Sequence, residues 1–159
     1  VYKRQDQPTF ALPGSKAELE EGDLFTPRFN DDGLIPAIVT DVARGEILMF
    51  AFMNAEALLL TIQTREGHFF SRSRGKLWRK GEDSGNVLEV ASLRTDCDQD
   101  VLWLSVRIRG HGSACHTGRK TCFYRELELD GSNSRGFSLK EVVRDKAFSP
   151  SEVYGQKSE

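Results

Sequence analysis

The sequence predicts an α+β fold: a single sheet-rich domain with one internal helix and a C-terminal helix. Three observations predict it. Short apolar or alternating runs of strand length recur between residues 37 and 129, separated by glycine-bearing turns. Helix-start signals are few. The 159 residues hold no repeat, low-complexity tract or internal linker, which leaves a single core.

The first stretch, to about Asp32, mixes prolines, glycines and the acidic Glu18, Glu20 and Glu21. It reads as a loose leader with a short helix over 15–21. Residues 37–42 form a strand pattern, 43–46 a turn, and 47–53 a second, nearly all-apolar strand. Asn54 can cap a helix over 55–66, with Leu58 and Ile62 on its buried stripe and Gly67 as its stop. Segments 68–74, 77–80, 87–93, 101–109 and 122–129 follow as strands. Ser138 and Glu141 have capping-box spacing for a last helix over 139–147, and the polar tail after Pro150 reads as loose. The chain thus divides into a leader (1–32), a core domain (33–129) and a C-terminal helix with its tail (130–159).

Composition narrows the function. The chain is 38% hydrophobic and 29% charged, with a net charge of -2. Neutralising nucleic-acid phosphates needs a cationic surface, so a generally basic nucleic-acid binder is excluded. Local basic clusters remain free to hold small phosphorylated ligands. No apolar run is long enough to span a membrane, and no signal-peptide pattern is visible. Three cysteines cannot all pair internally, so the expectation is a cytoplasmic protein with free thiols.

All three cysteines fall in two segments, Asp96-Cys97-Asp98-Gln99-Asp100 and Cys115-His116-Thr117-Gly118-Arg119-Lys120-Thr121-Cys122. Thiolates suit zinc, and carboxylates suit magnesium or calcium. Cys115 and Cys122 flank a glycine-containing turn able to aim two sulfurs at one ion. Cys97 has to arrive from another strand or another subunit. Three protein ligands leave the fourth zinc position open, as catalytic sites do. His116 and His111 are the nearby groups that could close it, but in an extended segment His116 would point away from Cys115. The competing reading of a lone cysteine is a small buried hydrophobe, which three cysteines in polar, glycine-rich surroundings fit poorly.

If extended, Asp96, Asp98 and Asp100 share one face of a strand, with Cys97 and Gln99 on the other. The competing reading is a solvated acidic loop; the glycine and distal glutamate of a calcium-binding EF-hand are missing. Magnesium held with waters and substrate phosphate fits better. The third constellation runs from Ser71 to Asn86. Arg72, Ser73, Arg74, Lys80, Glu82, Ser84 and Asn86 supply polar and charged groups, while Gly81 and Gly85 permit close backbone approach. Trp78 could stack on a base. Alone this is a solvated basic hairpin; beside two metal motifs it reads as a nucleotide site.

The blocks Gly33-Leu34-Ile35-Pro36-Ala37-Ile38, Met53-Asn54-Ala55-Glu56-Ala57-Leu58, Ser71-Arg72-Ser73-Arg74, Leu77-Trp78-Arg79-Lys80-Gly81-Glu82 and Ser84-Gly85-Asn86, with both cysteine segments, resemble the phosphoribosyl-AMP cyclohydrolase family of histidine biosynthesis. They follow in family order over residues 29–127. Asp83 and Leu88 depart from the family's usual Thr and Gln. The resemblance implies zinc-dependent hydrolysis of the N1–C6 bond of N1-(5-phosphoribosyl)-AMP, giving the phosphoribosylformimino-AICAR phosphate product. It implies an intertwined homodimer in which Cys97 of one subunit completes a zinc site with Cys115 and Cys122 of the other. Magnesium would sit on Asp96, Asp98 and Asp100, His116 would transfer protons, and the 72–86 segment would hold the substrate. Many relatives are fused to a pyrophosphohydrolase domain; about thirty residues follow the last motif here, too few for one, so a monofunctional chain is expected. Two rivals stand beside this. A zinc nucleoside deaminase would carry H-x-E and C-x-x-C, which are absent. A structural zinc knuckle binding RNA would need a fourth ligand and a basic surface.

Overall fold

The computed structural model describes residues 10–155; the first nine residues of the expected leader and the last four of the tail lie outside the described residues. Six strands form the main sheet: β1 (Ile35–Asp41), β2 (Ile47–Met53), β3 (His68–Ser71), β4 (Lys76–Arg79), β5 (Leu88–Thr95) and β6 (Leu102–Ile108). They lie in the order β4-β3-β2-β1-β6-β5. The β1–β6 pair is parallel, with Ala37 opposite Leu102 and Val39 opposite Leu104, and the other neighbours are antiparallel. The architecture is a sheet-rich α+β fold with few helices.

Alternation decides which face is inside. Ile35, Ala37 and Val39 of β1 and Leu102, Leu104 and Val106 of β6 are buried together with Leu48, Met53 and Phe69. Helix α2 (Ala55–Thr64) adds Ala57 and Leu58 to this core. Its cap is the expected one: Asn54 Oδ1 accepts the Ala57 N–H at 2.8 Å. The stop is not. The chain leaves the helix at Arg65, in the left-handed region with φ 60°, rather than at Gly67. Gly67 instead lets β5 come close: its N–H donates to the Leu88 carbonyl at 2.9 Å, and a β-carbon there would lie 3.2 Å from the Leu88 side chain. Val90 N–H likewise reaches the Arg65 carbonyl at 2.8 Å. The sheet therefore curls until its β5 edge meets the turn between α2 and β3.

Three expectations are corrected. No helix covers 139–147; β7 (Arg125–Asn133) and β8 (Gly136–Glu141) form a separate two-stranded hairpin, with Leu127 opposite Leu139. Ser138 and Glu141 have the spacing of a capping box, but Asn133 and Gly136 enclose a hairpin turn, and period-two pairing wins. Asn133 Oδ1 accepts the Arg135 N–H at 2.9 Å, and Gly136 takes φ 118°. The segment after Pro150 is not loose through Tyr154; it forms the short helix α3 (Pro150–Tyr154), with proline in its first turn. The described part of the leader is tied down too. Helix α1 (Lys16–Glu21) carries a full capping box from Ser15 and Glu18, and Phe10, Phe25 and Phe29 pack against the core.

Candidate active site

The cysteines Cys115 and Cys122 are brought together by backbone. Ala114 N–H donates to the Lys120 carbonyl at 2.9 Å and Gly118 N–H to the Cys115 carbonyl at 3.1 Å, closing a tight turn. Cys122 N–H donates to the Leu48 carbonyl at 2.7 Å, which fastens the second thiol to β2. Cys122 is exposed and lines a cavity. Partial withdrawal from water, reinforced by the adjacent Cys115, pushes its thiol up to about 12, and the nearby Lys80 works against that push. Two thiols so placed could supply two of the sulfur donors that a zinc ion takes.

A cavity of about 650 Å³ opens beside them, the size of a nucleotide site. Arg74, Trp78, Lys80, Gly81, Glu82 and Ser84, all expected in the binding segment, line it together with His116 and Cys122. Because Cys115 sits in a turn, the strand alternation that would have turned His116 away does not apply. Arg72, Ser73, Gly85 and Asn86 lie outside the lining. The Arg72 guanidinium stacks 4.3 Å over the Phe52 ring. Asn86 is buried, and its Oδ1 accepts the His111 N–H at 2.7 Å, so it braces the turn below the cavity.

Lys80 is also placed differently from a solvated phosphate clamp. It is 8% exposed, and burial lowers its pKa while the two thiols raise it. Its ammonium lies near enough to both sulfurs to feel their charge. Arg79 Nη1 donates to Glu66 Oε2 at 2.9 Å, and Arg109 holds the other carboxylate oxygen. Arg79, from the expected binding segment, lines the cavity as well, as does Met49, which no sequence motif marks.

Asp96, Asp98 and Asp100 do not lie on a strand. β5 ends at Thr95, and the next residues form a turn in which Gln99 adopts φ 55°. The turn still converges the carboxylates: ligand oxygens of all three lie within 4.8 Å of one another. Burial favours the neutral form of Asp96, yet N–H groups of Val101 and Asp100, with Asp98 and Asp100, hold its pKa below the usual value. Burial and the two neighbouring carboxylates push Asp100 up. A bound cation would relieve that repulsion, and the oxygen-only donor set suits magnesium.

Gln99 was missed as an organiser. Its buried side chain accepts the Thr26 N–H at 2.8 Å and donates to the Leu19 carbonyl at 2.9 Å, pinning the N-terminal segment to the acidic turn. A lone glutamine among aspartates gives no sequence signal for this.

Within one chain the two motifs stay apart. Among the described residues, the three aspartates are the one group of three or more whose ligand atoms converge; exposed Cys97 does not join Cys115 and Cys122. Asp96 borders a different cavity, of about 670 Å³, with Ile38, Ile47 and Trp103 on the outer face of the sheet.

A nucleotide-sized cavity walled by the Cys122 thiol, the His116 imidazole and the basic, aromatic Trp78–Lys80 segment defines an enzyme, not a closed structural metal module. The family model of phosphoribosyl-AMP cyclohydrolase matches residues 49–124. Over 140 residues the chain is 58% identical to the phosphoribosyl-AMP cyclohydrolase of Rhizobium rhizogenes, covering 87% of this chain and 91% of that one. It is 60% identical over 123 residues to the protein of that name from Brucella anthropi, covering 77% and 87% respectively. The corresponding protein of Agrobacterium fabrum is 49% identical over 145 residues, covering 91% and 94%. The chain belongs to the phosphoribosyl-AMP cyclohydrolase family.

Proposed function

We propose that this enzyme hydrolyses the N1–C6 bond of the adenine ring in N1-(5-phosphoribosyl)-AMP, in the cytoplasm, as a step of histidine biosynthesis. The observation that carries the reading is the single cavity shared by His116, Cys122 and the Arg74–Ser84 wall. Substitution at N1 withdraws electrons from the ring and makes C6 electrophilic. A water oxygen adds at C6, the C6–N1 bond breaks, and N1 takes up a proton. His116 accepts the proton of the attacking water and returns it to N1, so one imidazole serves both halves of the reaction. Trp78 stacks on the base, and Arg74 and Ser84 hold phosphate.

Cys115, Cys122 and Cys97 of the partner subunit would hold the zinc. When bound, zinc lowers the pKa of its water toward about 7 in favourable sites. Three thiolates oppose that effect by their negative charge, and Lys80 beside two of them offsets part of it. Asp96, Asp98 and Asp100 would hold magnesium near a substrate phosphate. The separation of Cys97 from Cys115 and Cys122 within one chain supports a homodimer with shared sites. So does the apolar outer face bearing Ile47, Phe50 and Trp103, each 40% exposed or more.

The test is a ring-opening assay followed by ultraviolet absorbance, on metal-stripped protein with zinc and magnesium restored separately and together. Turnover that requires zinc and rises with magnesium is expected. Absence of turnover from folded, zinc-loaded protein would overturn the proposal.

A further inference from the structure

The cavity has a wall made by residues 150–155, beyond the stretch that the family model matches. Pro150, Ser151, Tyr154 and Gly155 line it, whereas the family-model match ends at residue 124. The wall is fastened, not draped. Phe148, 7% exposed, packs against His111 with ring centroids 5.1 Å apart, and Tyr154 meets Phe148 edge-on at 6.0 Å. Ala147 N–H donates to the Gly118 carbonyl at 2.7 Å. A β-carbon at Gly118 would collide with the Phe148 carbonyl, so the glycine between the two thiols is also the seat of this segment. Arg119 adds an ion pair to Glu141 and a bond from Nε to the Val143 carbonyl at 3.1 Å. The turn that positions Cys115 thus positions the C-terminal wall.

We infer that this segment belongs to the binding site and that Tyr154 gives the bound nucleotide an aromatic contact, making it a second ring in the cavity with Trp78. The inference rests on the nucleotide reading above but adds a residue that the family motifs do not reach. A ring stacked on a base typically contributes enough that its removal weakens binding about fivefold to a hundredfold. Phe148, which touches the wall and not the ligand, acts as a positioning residue.

The experiment uses full-length, zinc-loaded protein. KM and kcat for N1-(5-phosphoribosyl)-AMP, and the Kd for AMP by calorimetry, are measured for wild type, Tyr154→Ala, Tyr154→Phe and Phe148→Ala. Tyr154→Ala is expected to raise KM and the AMP Kd at least fivefold, with zinc content and Tm retained. Tyr154→Phe recovers most of that affinity. Phe148→Ala weakens binding in the same way while lowering Tm. Unchanged KM and Kd in Tyr154→Ala would overturn the inference and leave the proposed reaction standing. Wild-type protein without turnover would overturn the reaction, while AMP binding that still depended on Tyr154 would keep the wall. Wild-type protein that binds neither nucleotide would overturn both.

Discussion

His116 and Cys122 share a cavity although they lie on opposite sides of a glycine turn, and that geometry makes their roles separable. His116→Ala is expected to cut kcat by about 10²- to 10⁴-fold, the usual contribution of general acid–base catalysis, while zinc measured by atomic absorption stays stoichiometric. Loss of zinc in parallel with activity would reassign the histidine to orienting a ligand. Asp41 gives a pH-dependent outcome. Its carboxylate accepts from Lys120 Nζ at 2.6 Å and from Ala43 N–H at 2.8 Å, which hold its pKa below the usual value despite burial. A depressed folded pKa stabilises above the unfolded value, near 3.9, and the gain is lost as pH falls through the folded value. Asp41→Asn is therefore expected to cost about 1 kcal/mol at pH 7 in urea unfolding, and progressively less as pH falls below about 3.9.

At the scale of elements, the junction between α2 and β3 hangs on one hydroxyl. Thr61 Oγ1 donates to the Ala57 carbonyl at 2.8 Å and accepts the His68 N–H at 2.9 Å, with both residues buried. Thr61→Val keeps the shape and leaves the His68 N–H without its partner. The expected loss is about 1–3 kcal/mol in denaturant unfolding, and a loss near zero would show that the junction relaxes. Gln99 does the same for the acidic turn. Gln99→Ala is expected to release the N-terminal segment, read as faster amide exchange at Thr26, and to weaken any magnesium stimulation of turnover. Elements with strong local signals were legible: β2 and the Asn54 cap fell where the sequence placed them. The 139–147 region was not, because a capping-box spacing and a hairpin turn coincide within a few residues and the pairing of Leu127 with Leu139 is non-local.

For the whole molecule, the failure of Cys97 to converge with the other two thiols within one chain is the strongest reason to expect a shared site. Mixing Cys97→Ala with Cys115→Ala protein under conditions of subunit exchange is expected to restore activity from two inactive parents. A random mixture would recover roughly a quarter of wild-type activity, since half the dimers are mixed and each has one intact site. No recovery despite demonstrated exchange would mean that each subunit builds its own centre. The curl of the sheet matters at this scale too. Glu66 holds Arg79 and Arg109 while Arg109 reaches Glu89 at 3.2 Å, so one carboxylate ties the cavity wall to the far edge of the sheet.

The sequence by itself determined the chemistry on offer: thiols, alternating carboxylates, one histidine between cysteines and a basic aromatic segment, together with most strands. These are local properties, carried by residue type and short-range period. Only the tertiary structure decided which of them meet. It placed Trp78 and Lys80 beside His116 and left Arg72 and Asn86 outside. It kept the carboxylates together through a turn rather than a strand, and it brought Tyr154 to the same cavity from the end of the chain. Those contacts join residues far apart in sequence, and the energy that selects them lies in burial and backbone pairing, which no single segment encodes.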